Sequence, residues 1–132
     1  MSQENVEVVR EVYEAWIRGD DEAAFERFDP EVEWFPPPDV SSSGKRQGHE
    51  GVRRSLAAWI GTWEDYHFEL RQLIDRGDDV LAEGWQRGRG RTSGVEVSEK
   101  ICSVWTLRAG LIIRQRMFRD RAEALEAAGL RE

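Results

Sequence analysis

The chain has 132 residues, a charged fraction of 34%, six tryptophans and a net charge of −7. A chain of that length suits a single domain with a real core, since about two-thirds of the unfolded surface leaves water at this size, and the aromatic content argues against disorder. No apolar run, "SLAAWIGTW" included, is long enough to span a bilayer, and the overall acidity speaks against a nucleic-acid partner.

The charge is unevenly spread: residues 1–33 hold eleven Asp and Glu against three Arg, while arginines gather at 87–91 and 108–121. The stretch "MSQENVEVVREVYEAW" lacks the basic and apolar regions of a signal peptide, so a cytoplasmic location is expected. The single cysteine, Cys102, excludes an intrachain disulfide and reads as a small buried hydrophobe.

In chain order, Ser2 is placed to cap a helix whose apolar positions Val6, Val9, Tyr13 and Trp16 recur at helical spacing, and "RGDD" at 18–21 ends it. Asp20 or Asp21 opens a short second helix with Ala24, Phe25 and Phe28, stopped by "DP" at 29–30. A short strand "VEWF" at 32–35 is then cut off by Pro36, Pro37 and Pro38. The segment "DVSSSGKRQG" reads as a loop. From Glu50 to about Thr62 the set Val52, Leu56, Trp59 and Trp63 predicts a third helix that turns two tryptophans to one side. Four strands follow, at about 66–75, 79–91, 95–108 and 111–118, separated by the turn signals "DRGD", "TSG" and "RAG". Asp120 with Glu123 resembles a capping box for a last helix through Leu125, and Gly129 is suited to terminate it. Helices grouped before a meander predict an α+β fold, a curved antiparallel sheet with helices across its concave face.

The tract "EGWQRGRGRTSG" at 83–94 looks like an arginine-glycine segment that binds RNA. A period of two instead puts Leu81, Glu83, Trp85, Arg87, Arg89 and Arg91 on one face, and Ala82, Gly84, Gln86, Gly88 and Gly90 on the other. The reading is therefore a strand with a small-residue face, its glycines marking curvature or the close approach of another backbone. The strand "EKICSVWTLR" sends Ile101, Ser103, Trp105 and Leu107 one way and Cys102, Val104 and Thr106 the other, with neither face plainly polar. With too few helices to cover both sides, this predicts a homodimer through the sheet.

The patterns "VVREVYEAWIRGDDEAAFERFDPEVEW", "GHEGVRRSL" and "VWTLRAGLIIRQRMFRDRAEALEAAGL" together resemble the SnoaL-like branch of the nuclear transport factor-like superfamily over nearly the whole chain. The resemblance implies a cone-shaped α+β barrel with a deep pocket between sheet and helices. It leaves function open, because that superfamily holds cyclases, isomerases, epoxide hydrolases and non-catalytic modules. Set against the steroid isomerases, Val12, beside Tyr13, falls at the catalytic tyrosine, Phe35 at the base and Ser103 at the protonated acid. The base is thus absent, and the isomerase mechanism in its known form with it.

The resemblance places Glu83, Trp85 and Arg87 beside Ser103 and Trp105 on the concave face, with Glu33 and Phe35 from the first strand and Gln115 and Met117 from the last. In that arrangement Glu33 or Glu83 is a candidate acid or base, Arg87 an orienter, and Ser103 or Tyr13 a hydrogen-bond donor. The competing reading of Glu83 with Arg87 is a structural ion pair. Trp16, Trp59, Trp63, Trp85 and Trp105 are core residues or ligand-cavity walls. His49 and His67 have no ligand spacing to another His or Cys, so no metal site is expected, and "GKRQG" lacks a phosphate-loop pattern, so no nucleotide cofactor is expected. Two functions stay open: a cofactor-independent enzyme acting on a small apolar or aromatic molecule, and a non-catalytic binding or interaction module.

Overall fold

The computed structural model of the protein describes residues 2–36 and 45–128. Pro37, Pro38, most of the "DVSSSGKRQG" loop, the Ser2 side chain and Gly129 lie outside the described residues. The elements run α1 (Ser2–Ile17), α2 (Asp21–Phe25), β1 (Phe28–Phe35), β2 (Arg46–Gln47), α3 (Gly48–Gly61), β3 (Trp63–Arg76), β4 (Asp79–Gly90), β5 (Glu96–Arg108), β6 (Leu111–Phe118) and α4 (Arg121–Ala127).

α1 ends in a Schellman motif: Gly19 takes a positive φ of 84°, its N–H bonds the Trp16 carbonyl, and the Asp20 N–H bonds that of Ala15. The Asp20 carboxylate then accepts from the Ala23 N–H and starts α2. Beyond the expected stripe, Val8, Val12 and Ala15 of α1 are also buried, because a curved sheet wraps more of the helix than a flat one would. α2 stops at Phe25, so Phe28 opens β1 and Pro30 lies inside that strand, where the register with its neighbour breaks between Phe28 and Glu33.

One six-stranded sheet has the order β2-β1-β6-β5-β4-β3. β3 to β6 form the expected antiparallel meander, while β1 lies parallel to β6. The sheet curves without closing. α1 packs on the concave face, where Val9, Val12, Val32, Val80, Trp105 and Ile112 form the main core. Trp63 begins β3 instead of continuing α3, but its ring still meets that of Trp59, 5.7 Å away.

The arginine-glycine tract is strand β4. Its arginines are engaged: Arg87 faces Glu69 at 3.7 Å, and Arg89 faces Glu64 and Asp65 at 3.6 Å. Arg91 donates to the carbonyls of Gly61 and Trp63. A Cβ on Gly84 would stand 2.5 Å from the Glu69 carbonyl oxygen and from the Phe68 ring, so close backbone approach is what the glycine permits.

On the convex face Leu81, Cys102 and Val104 are buried against Ala124 of α4, with Ile74, Phe118 and Leu125 packed around them. The Asp120 carboxylate caps this helix by accepting from the Ala122 N–H. The outer side of β5 is therefore covered from within the chain, which removes the need for a second subunit at those residues.

Candidate functional site

Between the concave face and helices α1 to α3 lies a cavity of about 650 Å³. Its walls are aromatic: Tyr13 and Trp16 from α1, Phe25 from α2, Trp34 from β1, Trp59 from α3, Tyr66 and Phe68 from β3, and Trp105 from β5. The rings lock one another edge to face. Trp34 and Trp105 have centroids 5.9 Å apart at 77°, Tyr13 meets Trp105 at 5.5 Å and 79°, and Tyr13 stacks on Phe68 at 5.3 Å.

The polar groups inside fall into three sets. First, the Trp105 indole N–H donates to the Tyr13 hydroxyl at 3.1 Å, and the Ser103 side chain also hydrogen-bonds that phenol. Burial drives the Tyr13 phenol well above its ordinary ionisation range, so it stays neutral at any physiological pH. Second, Gln86 is saturated. Its Oε1 accepts from Trp59 Nε1 at 3.0 Å and from the Tyr66 hydroxyl at 2.9 Å, and its Nε2 donates to Glu99 at 2.7 Å. Arg119 holds Glu99 in turn, 2.8 Å away, and burial raises Tyr66 to about 12. Third, Gln115 is fully buried, yet neither its Oε1 nor its Nε2 has a partner, and the buried Nε1 of Trp16 has none either. Each such unpartnered group costs about 1–3 kcal/mol in a folded protein. The charged side chains of the lining, Asp21 and Arg53, belong to the helices α2 and α3, and the Arg53 guanidinium lies 4.2 Å over the Phe25 ring and 3.4 Å from Glu22.

Tyr13, Trp16, Trp59, Ser103, Trp105, Gln115 and Met117 line the cavity together, as expected from the sequence. Other expected members do not. Glu83 pairs in register with Cys102, so it lies on the convex face, opposite to Ser103 and Trp105. There its carboxylate meets Arg121 at 3.2 Å and Lys100 at 3.4 Å, tying the start of α4 to the sheet. Trp85 and Arg87 share that outer face; Arg71 lies 5.9 Å from the Trp85 ring, and Arg87 pairs with Glu69. Glu33 and Phe35 register with Arg114 and Arg116, which face outward with Thr106 and Val104, and Glu33 meets Lys45 at 3.4 Å. Trp63 is buried in the core outside the lining. No expected acid or base therefore reaches the cavity.

The physical reason is the same for β1 and β4. A strand that bounds a cavity beneath a packed helix turns its plainly apolar or small residues inward, and its mixed face outward. In β1 that inner pair is Val32 and Trp34; in β4 it is the run Val80, Ala82, Gly84 and Gln86. Trp34, Phe68, Tyr66 and Gln86 are among the site residues that sequence reading missed. The alternation of "VEWF" and "DYHFEL", with the inner face taken as the apolar one, would have found the first three. Likewise Tyr13 and Trp34 face the cavity where the isomerase pattern pointed to their neighbours Val12 and Phe35.

Comparison with solved structures places the fold among known ones. The chain is similar to an NTF2-like protein of unknown function from Burkholderia pseudomallei, at 23% identity, 96% and 98% coverage of the two chains and a TM-score of 0.78. It is similar to TerC co-crystallised with polyporic acid, at 23% identity, 96% and 99% coverage and a TM-score of 0.77. A proposed SnoaL-like polyketide cyclase from Jannaschia sp. CCS1 aligns at 18% identity, 99% and 95% coverage and a TM-score of 0.78. No curated protein sequence matches the chain. The model of the SnoaL-like domain matches residues 9–115, from α1 to the cavity-lining residue Gln115, and the chain belongs to the SnoaL-like domain family.

Proposed function

We propose that the protein is a cytoplasmic, homodimeric binder of a small, flat, largely aromatic molecule, which it holds through shape and neutral hydrogen bonds. The observation that carries this reading is the cavity itself: about 650 Å³, ring-walled, with Tyr13, Tyr66, Gln86, Ser103 and Gln115 among its uncharged polar groups. That volume is in the usual range for small-molecule sites. A small-molecule reading is in keeping with TerC, a protein of the same fold that was co-crystallised with polyporic acid. The dimer in this reading uses the part of the convex face around Trp85 that α4 leaves uncovered.

One observation favours a catalytic version that needs no cofactor, an isomerase, cyclase or hydrolase. The Tyr13 phenol, kept neutral by burial and joined to Ser103 and Trp105, is suited to donate to an oxygen that gains negative charge during reaction. In that version Glu33 and Glu83 take no part, and water or the substrate itself accepts the proton.

Native mass spectrometry of the freshly purified protein tests the binding reading. A dimer carrying the extra mass of an aromatic metabolite is the expected result. A protein that carries nothing and quenches none of its tryptophan fluorescence with a panel of aromatic compounds sinks the reading, and a clean monomer removes its dimer.

A further inference from the structure

Gln86 and Gln115 are both buried glutamines on the concave face, and they differ in one respect. Every polar atom of Gln86 is bonded, whereas neither amide atom of Gln115 is. Gln115 sits on β6 in register with Trp105 on one side and Trp34 on the other, so it lines the cavity between two indoles. The Trp16 ring, which lines the same cavity, packs against both of these indoles at 6.1 and 6.2 Å and carries a second unpartnered donor, Nε1.

We propose that Gln115 is the specificity-determining residue of the cavity, and that its amide reads a ligand edge on which a hydrogen-bond acceptor and donor stand side by side. A ring lactam, a carboxamide and a hydroxyl beside a carbonyl share this chemistry. The proposal rests on the binding reading above and adds to it the chemical class of the ligand. The argument is one of complementarity. The Oε1 needs a donor, while the Nε2 and the Trp16 N–H need acceptors, so a neutral donor–acceptor edge satisfies all three. An ionised carboxylate offers acceptors alone and would face the Oε1 with no cation beside it, because the Arg53 guanidinium rests over Phe25. An ammonium would offer donors alone. An unsubstituted hydrocarbon fills the volume and leaves all three atoms unpaired.

The test uses three probes of like shape: 2-quinolone, which carries the lactam edge, naphthalene, which has none, and 2-naphthoate, which carries the anion. Equilibrium dialysis measures each against the wild-type protein and Gln115→Met, a variant that keeps the side-chain length. The expected result is 2-quinolone binding roughly tenfold or more tightly than either other probe, a preference lost in Gln115→Met while naphthalene affinity is unchanged or improved. Equal affinities in the wild type, a preference that survives Gln115→Met, or a preference for 2-naphthoate would each overturn the proposal while leaving the binding reading intact. Absence of binding by all three probes up to their solubility removes the binding reading, and the proposal with it.

Discussion

Replacing Gln115 by Met should make the unliganded protein more stable. The residue is fully buried, both amide atoms lack partners, and a thioether of similar length fills the same space without a polar group to desolvate. A buried, unbonded amide costs about 1–3 kcal/mol, so the expected gain is about 2 kcal/mol. For a chain of this size that corresponds to a rise of roughly 6–8 °C in the thermal midpoint. Urea unfolding is the assay, with the m-value unchanged so that the shift in midpoint reports stability alone. Gln86→Met is the matched control with the opposite sign. It strands Trp59 Nε1 and the Tyr66 hydroxyl and leaves Glu99 to Arg119 alone, and should cost about 2–3 kcal/mol. If Gln115→Met is neutral or destabilising at constant m, or if both variants move the same way, the assignment of Gln115 as an unpaired group held for a ligand is wrong.

Other outcomes follow from the sheet and from the tyrosines. Gly84→Ala should destabilise by about 1–3 kcal/mol, because the new Cβ meets a backbone carbonyl and the Phe68 ring at 2.5 Å. Gly61→Ala, with nothing near it, should be neutral or slightly stabilising; equal effects in urea unfolding would refute the close-approach explanation. The two tyrosines of the chain are both raised by burial, Tyr66 to about 12 and Tyr13 further, so neither should show tyrosinate absorbance in the folded protein near pH 10. Because the folded pKa lies above the unfolded value of 10.0, the stability they contribute is complete below pH 10. It is lost as pH rises from there through 12, by up to about 1.4 kcal/mol per pH unit for each group. Urea midpoints that stay flat across that window, or a tyrosinate midpoint near 10 in the native protein, would contradict the burial of these phenols.

Much of the fold was legible in the sequence because period and punctuation agreed. The Val6, Val9, Tyr13 stripe, the "DRGD" and "RAG" turns and the alternation of Ile101, Ser103 and Trp105 each fixed an element and its inner face. The glycines of β4 also signalled the close contact that the structure shows at Gly84. What failed was the choice of face on β1 and β4. Both strands carry large side chains on their outer faces, Phe35 on one and Trp85 on the other, and a charged residue two places away made these faces look like a catalytic arrangement. Which face is inner depends on what packs above it, and the packing of α1 and α4 on opposite sides of the sheet is a tertiary fact. The parallel seat of β1 beside β6 is of the same kind, since no local pattern records which distant strand will be a neighbour. Gln115 was legible as a cavity residue, but its lack of any partner could be seen only once all its neighbours were in place.

That seat of β1 also bears on how the protein acquires its cavity. The pairings of β3 with β4, β4 with β5 and β5 with β6 join segments close in the sequence, so their loop-closure cost is small. β1 reaches its position only by joining residues 28–35 to residues 112–116, the longest-range pairing in the sheet. The cavity wall around Gln115 needs Trp34 from β1 on one side and Trp105 from β5 on the other. That part of the cavity is thus enclosed by the contact with the highest entropic cost of formation, and a meander that has folded without β1 has a sheet but no chamber.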